Sequence, residues 1–196
     1  MSFDEWKKPR EEVVKYFTNV FDVANHKTET ELKQLFMAEP TVENIEKRVN
    51  RLSAVYGTRI RMSDQEAIAR FIFREGIVAD AVTGKDGVVE RIGLNENEGY
   101  NHCLSFASKF CSFCNPDVYP IYDSIVLEVL LRLNDKYKFD SNYTERERNR
   151  IKSHYDYARF CKIIEGFRHF EDFGLDNCSL REIDKFLWIA GKGLVD

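Results

Sequence analysis

The chain has 196 residues, 43% hydrophobic and 32% charged, the balance of a globular protein with enough material for a full core. A net charge of −4 excludes polyanion binding over the whole surface, so any nucleic-acid face has to be local. The opening MSFDEWKKPR has no apolar run and no segment is long enough for a transmembrane helix, so no membrane partner is predicted. Five cysteines without a secretory leader predict reduced thiols and a cytoplasmic location.

In chain order, Pro9 opens a helix with Val13, Val14, Phe17, Val20, Phe21 and Ala24 at helical spacing. Thr28-Glu29-Thr30-Glu31 reads as a capping box that starts a second helix through Leu32, Leu35 and Phe36, which Pro40 ends. A third carries Ile45, Val49, Leu52 and Val55 and stops at Gly57. Ser63 to Glu66 reads as another capping box, for a helix with Ala67, Ile68, Phe71 and Ile72 that stops at Gly76. Two β-friendly runs, IVADAV and VVERI, flank Thr83-Gly84-Lys85-Asp86-Gly87; a small β-hairpin within 77–92 and a helical turn with a surface loop fit equally. Asn95 to Gly99 is a polar loop.

The centre of the chain is a helix pair within 102–133. In the first helix Leu104, Ala107, Phe110, Cys111 and Cys114 form the core stripe, with His102, Phe106, Lys109 and Phe113 as a second stripe. Asn115 to Pro120 is turn chemistry with two prolines. Asp123 then caps a helix that is apolar nearly all round, Ile125 to Leu133, the pattern of a buried element. Tyr122 and Leu127 stand at the positions of a hydrophobic staple. Farther on, TERERNRIKS (144–153) is a basic stretch interleaved with acids. Tyr157, Phe160, Cys161, Ile164 and Phe167 mark a helix that ends near Gly174. Ser179 to Glu182 is a third capping box, for a last helix stopped by Gly191. The sum is an all-α fold of roughly eight helices, a single helical domain over 1–196 in two lobes.

Several patterns invite chemistry. As a cap alone, Asp123 contributes about 1 kcal/mol. The same helix N-terminus keeps a carboxylate ionised, and a fixed carboxylate beside a pocket can stabilise an oxocarbenium ion or orient water. Cys111-x-x-Cys114 falls on the core stripe without a βαβ context, so the pair reads as buried thiols. His26, His102, His154 and His169 have no metal-ligand spacing, and no Gly-rich phosphate loop follows a strand, so no metal and no cofactor is predicted. Arg59, Arg61, Arg70, Arg74 and the 146–152 stretch could contact phosphates, or form solvated helix faces with local ion pairs.

Phe106-Ala107-Ser108-Lys109-Phe110 followed by Tyr119-Pro120-Ile121-Tyr122-Asp123-Ser124-Ile125-Val126 resembles the helix-hairpin-helix DNA glycosylases, the superfamily of the 8-oxoguanine and adenine glycosylases. The resemblance implies a two-lobed helical fold with a cleft near Asp123 and DNA as partner through a local basic face. It implies a base-recognising or base-excising protein with Asp123 as catalytic carboxylate, and Tyr56, Thr58, Arg59, Ser105 and Tyr122 around the base. Bifunctional members carry a nucleophilic lysine where this chain has Ser105; Lys109 lies four residues later. A monofunctional mechanism is therefore expected, with a Schiff-base route through Lys109 if its amine enters the cleft. The alternative is an inactive helical interaction or regulatory protein that retains the scaffold; a protein partner is not specified by the sequence.

Overall fold

The structure, a computed structural model, describes residues 9–58, 60–94, 102–140 and 156–195. Among the described residues there are nine α-helices and no strand, so the all-α expectation holds. They are α1 (Glu11–Met37), α2 (Val42–Tyr56), α3 (Met62–Arg74), α4 (Ile77–Val82), α5 (Val88–Gly93), α6 (Leu104–Cys114), α7 (Ser124–Tyr137), α8 (Tyr157–Arg168) and α9 (Leu180–Val195). The chain divides into two compact units, Met1–Ala24 with Tyr122–Asp196, and Asn25–Ile121. It passes from the first to the second inside α1 and returns between Ile121 and Tyr122.

The two helices expected over the first 37 residues are one. Asn25, His26 and Lys27 contain no breaker, so the amides at Thr28–Glu31 keep carbonyls four residues back and need no cap. Arg10 supplies the first carbonyl, accepting from Val13 and Val14 at 3.0 Å each. The Ser63–Glu66 box is also unused. Arg61 is the N-cap of α3, while the Ser63 hydroxyl and the Arg61 guanidinium both donate to Asp64, each at 3.1 Å.

The possible hairpin over 77–92 is instead two short helices. Ile77 and Ala81 on α4, and Val88, Val89 and Ile92 on α5, are the buried positions, which is helical rather than alternating spacing. Gly76 and Gly87 stand at positive φ and turn the chain into each helix. Asp80 ties the pair together by accepting from Lys85 and Arg91.

In the Asn25–Ile121 unit, α6 packs against α2, α4 and α5. A Cβ on Gly93 would lie 2.8 Å from the Leu104 Cα, so α5 meets α6 through backbone. Arg48 of α2 is 0% exposed and takes hold of the end of α1, its Nε donating to the Leu35 carbonyl at 3.0 Å and its Nη2 to that of Ala38. Its guanidinium lies over Phe36 at 5.3 Å, and Phe36 in turn stacks edge-on against Phe110.

In the other unit α7 is the buried centre, as its composition predicted, with α8 and α9 against it. Tyr122 meets Phe160 edge to face at 5.1 Å, and Phe139, Phe167, Phe170 and Phe173 form an aromatic cluster. The first part of α1 packs here through Phe17 on Phe186 and Phe21 on Trp188, and Asp22 pairs with the buried Lys185. α8 ends at Arg168, short of Gly174. Ser179 and Glu182 close the one box of the three that works: the Ser179 amide donates to the Glu182 carboxylate at 2.7 Å, and the Glu182 amide to the Ser179 hydroxyl at 3.2 Å. α9 then runs through Gly191 rather than stopping there.

Gly191 is a packing residue. A Cβ there would stand 2.1 Å from Ile125 Cγ2 and 3.1 Å from Val129 Cγ2, both on stiff β-branched side chains of α7. Gly191→Ala is therefore expected to destabilise by about 1–3 kcal/mol, whereas Gly193→Ala, with nothing within 4 Å, should be neutral or stabilising. Urea unfolding of the two variants checks the contrast; equal midpoints would refute the close α7–α9 approach.

Candidate functional site

The predicted site residues belong to two units. Tyr122 and Asp123 lie in one; Tyr56, Thr58, Ser105 and Lys109 lie in the other. Arg59 and the 146–152 stretch are outside the described residues.

Asp123 is the N-cap of α7. Its extended backbone (φ −135°, ψ 139°) turns the carboxylate back so that Oδ1 accepts from the Ile125 amide at 2.9 Å. The residue is half-buried, so the cap does not seal the carboxylate from solvent. Tyr122 and Leu127, the two staple positions, are both buried.

The other unit brings three predicted residues together around the Lys109 amine. Lys109 is 3% exposed. Its Nζ donates to the Ser105 hydroxyl at 2.7 Å and approaches the Ser105 carbonyl at 3.4 Å. It stands 5.5 Å from the Tyr56 ring centroid, a cation–π distance. The spacing of four residues is what makes the first contact: positions i and i+4 are stacked on one helix face, and the flexible lysine stem folds back over the turn. Lys109 thus delivers its amine to Ser105, the position where the resemblance expects a lysine.

Tyr56 extends the cluster, its hydroxyl donating to Glu29 at 3.2 Å. Glu29 is 7% exposed and was not a predicted site residue. It sits in the Thr28–Glu31 segment, whose capping pattern masks the inward-facing acid. Thr58 is near the C-terminal turn of α2, where its amide donates to Ser53 at 3.4 Å; its hydroxyl is buried with no hydrogen-bond partner among the described residues.

The cysteines on α6 are thiols held in apolar surroundings. Burial pushes Cys111 well above the ordinary thiol range and Cys114 up to about 12, the latter offset in part by the Arg48 charge. Cys103 is likewise pushed up to about 12 by burial. All three are protonated at neutral pH and are poor nucleophiles and poor metal ligands in that form.

The described arginines proposed for phosphate contact each have an acidic neighbour. Arg61 pairs with Asp64 at 3.1 Å, Arg74 with Glu75 at 2.9 Å, and Arg70 with Glu66 one turn away. These are the local ion pairs of a solvated helix face.

The HI_0787 N-terminal domain family matches residues 5–118. The chain belongs to this family. An uncharacterized protein of Haemophilus influenzae is 38% identical over 88 residues, a match covering 45% of this chain and 36% of that protein. The chain thus spans about a third of the curated relative it matches. No solved structure matches. The family segment contains the Glu29–Tyr56–Ser105–Lys109 cluster and ends before Tyr122 and Asp123.

Two outcomes follow from this geometry. Asp123→Ala removes the cap and should cost about 1 kcal/mol, with Asp123→Asn retaining most of it; urea midpoints check the pair. The raised Cys103, Cys111 and Cys114 thiols make stability fall in alkali. Their folded pKa values are raised, so their contribution is complete below the unfolded thiol value near 9 and is lost as pH climbs from there toward 12. Unfolding midpoints from pH 7.5 to 11 should be flat and then decline, with Cys114→Ala reducing the slope.

Proposed function

We propose that the protein recognises a base of a nucleic acid and, where active, excises it as a monofunctional, glycosylase-like hydrolase using Asp123. The observation that carries the proposal is the half-exposed Asp123 carboxylate, fixed on the N-terminus of the buried helix α7 by the Ile125 amide. A helix N-terminus is a favourable place for negative charge. An anchored anion can stabilise the positive charge that develops on the sugar and orient the attacking water. The base would be extruded from its stack at a cost of a few kcal/mol, roughly, before reaction.

The monofunctional form is favoured because the Lys109 amine is already occupied. It is buried, bonded to Ser105 and set over Tyr56, so it does not stand ready for attack on a sugar. In this reading Lys109, Ser105 and Tyr56 support the architecture of their unit. The finer glycosylase-like arrangement belongs to the same proposal, as does nucleic acid as the partner.

A second reading, a helical interaction or regulatory protein that keeps the scaffold without the chemistry, is favoured by one observation. Arg61, Arg70 and Arg74 are each paired with a carboxylate, which weakens them as phosphate ligands.

Incubation with oligonucleotides carrying uracil, 8-oxoguanine or mismatched adenine, followed by scoring of abasic sites, separates the two. The first reading expects base release that falls about 10²–10³-fold in Asp123→Asn, a variant that keeps the cap. Release unchanged in that variant, or none from any substrate, would sink it. Gel shifts with no salt-dependent binding to DNA or RNA would then leave the second reading standing.

A further inference from the structure

The outer face of α1 carries a row of apolar side chains. Tyr16, Val20 and Val23 are 65%, 42% and 75% exposed. They follow one another at steps of four and three residues, the spacing that keeps side chains on one line of a helix and forms the seam of a coiled coil. The opposite side of α1 faces the core, through the buried Val14, Phe17 on Phe186 and Phe21 on Trp188. Those contacts fix which face points outward. Single exposed apolar residues are ordinary. On α3, for example, Met62 and Phe73 are separated along their face by the Glu66–Arg70 ion pair. On α1 the row runs from Tyr16 to Val23 with no charge on the same line.

Charges of opposite sign bound the row. Glu12 lies one turn before Tyr16 and Lys27 one turn after Val23, both on the same line and both exposed. Neither has an ion-pair partner among the described residues, whereas the neighbouring Glu11 and Lys15 pair with each other. The order is symmetrical about the point between Asn19 and Val20: Tyr16 and Val23 are equally far from it, and so are Glu12 and Lys27. A second α1 laid antiparallel along this row puts Tyr16 against Val23 and Glu12 against Lys27, twice each. The two Val20 side chains then lie beside the twofold axis. A parallel copy sets Glu12 against Glu12 and Lys27 against Lys27. Like charges repel across an interface and unlike ones attract, so the row selects the antiparallel arrangement.

We propose that the Tyr16–Val23 row of α1 is a homodimer contact, in which α1 packs antiparallel on α1 of a second copy around a twofold axis beside Val20. The occupant is a second copy because the row is complementary to itself, as an isologous contact requires. The apolar side chains supply the attraction. The Glu12–Lys27 pairs at the rim set direction and register, since exposed ion pairs add little affinity. With three apolar side chains from each copy the contact is small, so association depends on concentration. None of these residues enters the base-excision reading, and the contact does not stand or fall with it.

Sedimentation equilibrium of the full chain tests the proposal, and a monomer–dimer equilibrium is expected. Val20→Lys sets two like charges beside the axis and should weaken association at least about tenfold, as should Tyr16→Ala. Glu12→Lys and Lys27→Glu each create two like-charge pairs and should each weaken it by about three- to tenfold. The double variant Glu12→Lys/Lys27→Glu restores unlike pairs and should return to within about twofold of the parent. All four positions are exposed, so circular dichroism should show unchanged helix content. Phe73→Ala, at an exposed apolar position on α3, should leave association unchanged. A chain that stays monomeric up to about 1 mM, a loss in Phe73→Ala equal to that in Tyr16→Ala, or a double variant that fails to recover would overturn the proposal.

Discussion

The burial of α6 is the constraint on which the Asn25–Ile121 unit depends. The helix is covered on nearly every side, yet it carries Ser108, Lys109 and Ser112 among its buried residues. Polar groups survive in such a place only when they are paired. α6 meets much of that demand within itself. The Ser108 hydroxyl donates to the Ser105 carbonyl at 3.1 Å, and the Lys109 amine reaches the Ser105 hydroxyl and carbonyl of the preceding turn. Tyr56 from α2 offers its ring face to the same ammonium. A helix that satisfies its own polar side chains can be surrounded closely, down to the backbone approach that Gly93 permits.

The other unit meets a comparable demand with fewer polar groups. α7 is apolar on most of its surface, and its exposed need is at the ends. Asp123 serves the first turn. At the far end Lys138 takes the left-handed conformation, and the Asn134 carbonyl oxygen of the side chain accepts from the Asp140 amide at 2.8 Å. Gly191 lets α9 come close to Ile125 and Val129, directly beside the turn that Asp123 caps. The carboxylate is thus attached to a rigid element, the setting that chemistry at Asp123 would require. The family segment ends at residue 118, so the shared sequence contains the Lys109 cluster and leaves Asp123 to the following part of the chain.

Local patterns were informative where no stronger neighbour competed. Of three Ser/Thr-x-x-Glu patterns, Ser179–Glu182 acts as a capping box because the chain before it is already turned by the Leu175–Cys178 bond. Thr28–Glu31 does not, since helix on its N-terminal side supplies the carbonyls. Ser63 does not, since the buried Asp64 draws both its hydroxyl and Arg61. Glycines divide in the same way. Gly57 ends α2 at positive φ, as a terminal glycine does, but Gly191 owes its role to Ile125 and Val129 on a different helix, α7. Lys109 shows how far spacing reaches: it places the amine near Ser105, but whether that amine faces solvent or Tyr56 depends on a different helix.

By itself the sequence determined the all-α class, most helix positions, the buried character of α7 and the capping role of Asp123. These follow from hydrophobic period and cap chemistry, which act over one or two turns. Only the structure decided that Glu11–Met37 is one helix, that Ile77–Val82 and Val88–Gly93 are two helices, that Lys109 is enclosed, and that Glu29 joins it. The enclosure of Lys109 and the place of Glu29 turn on which distant side chain occupies the adjoining space, and period along a single stretch of sequence does not encode that.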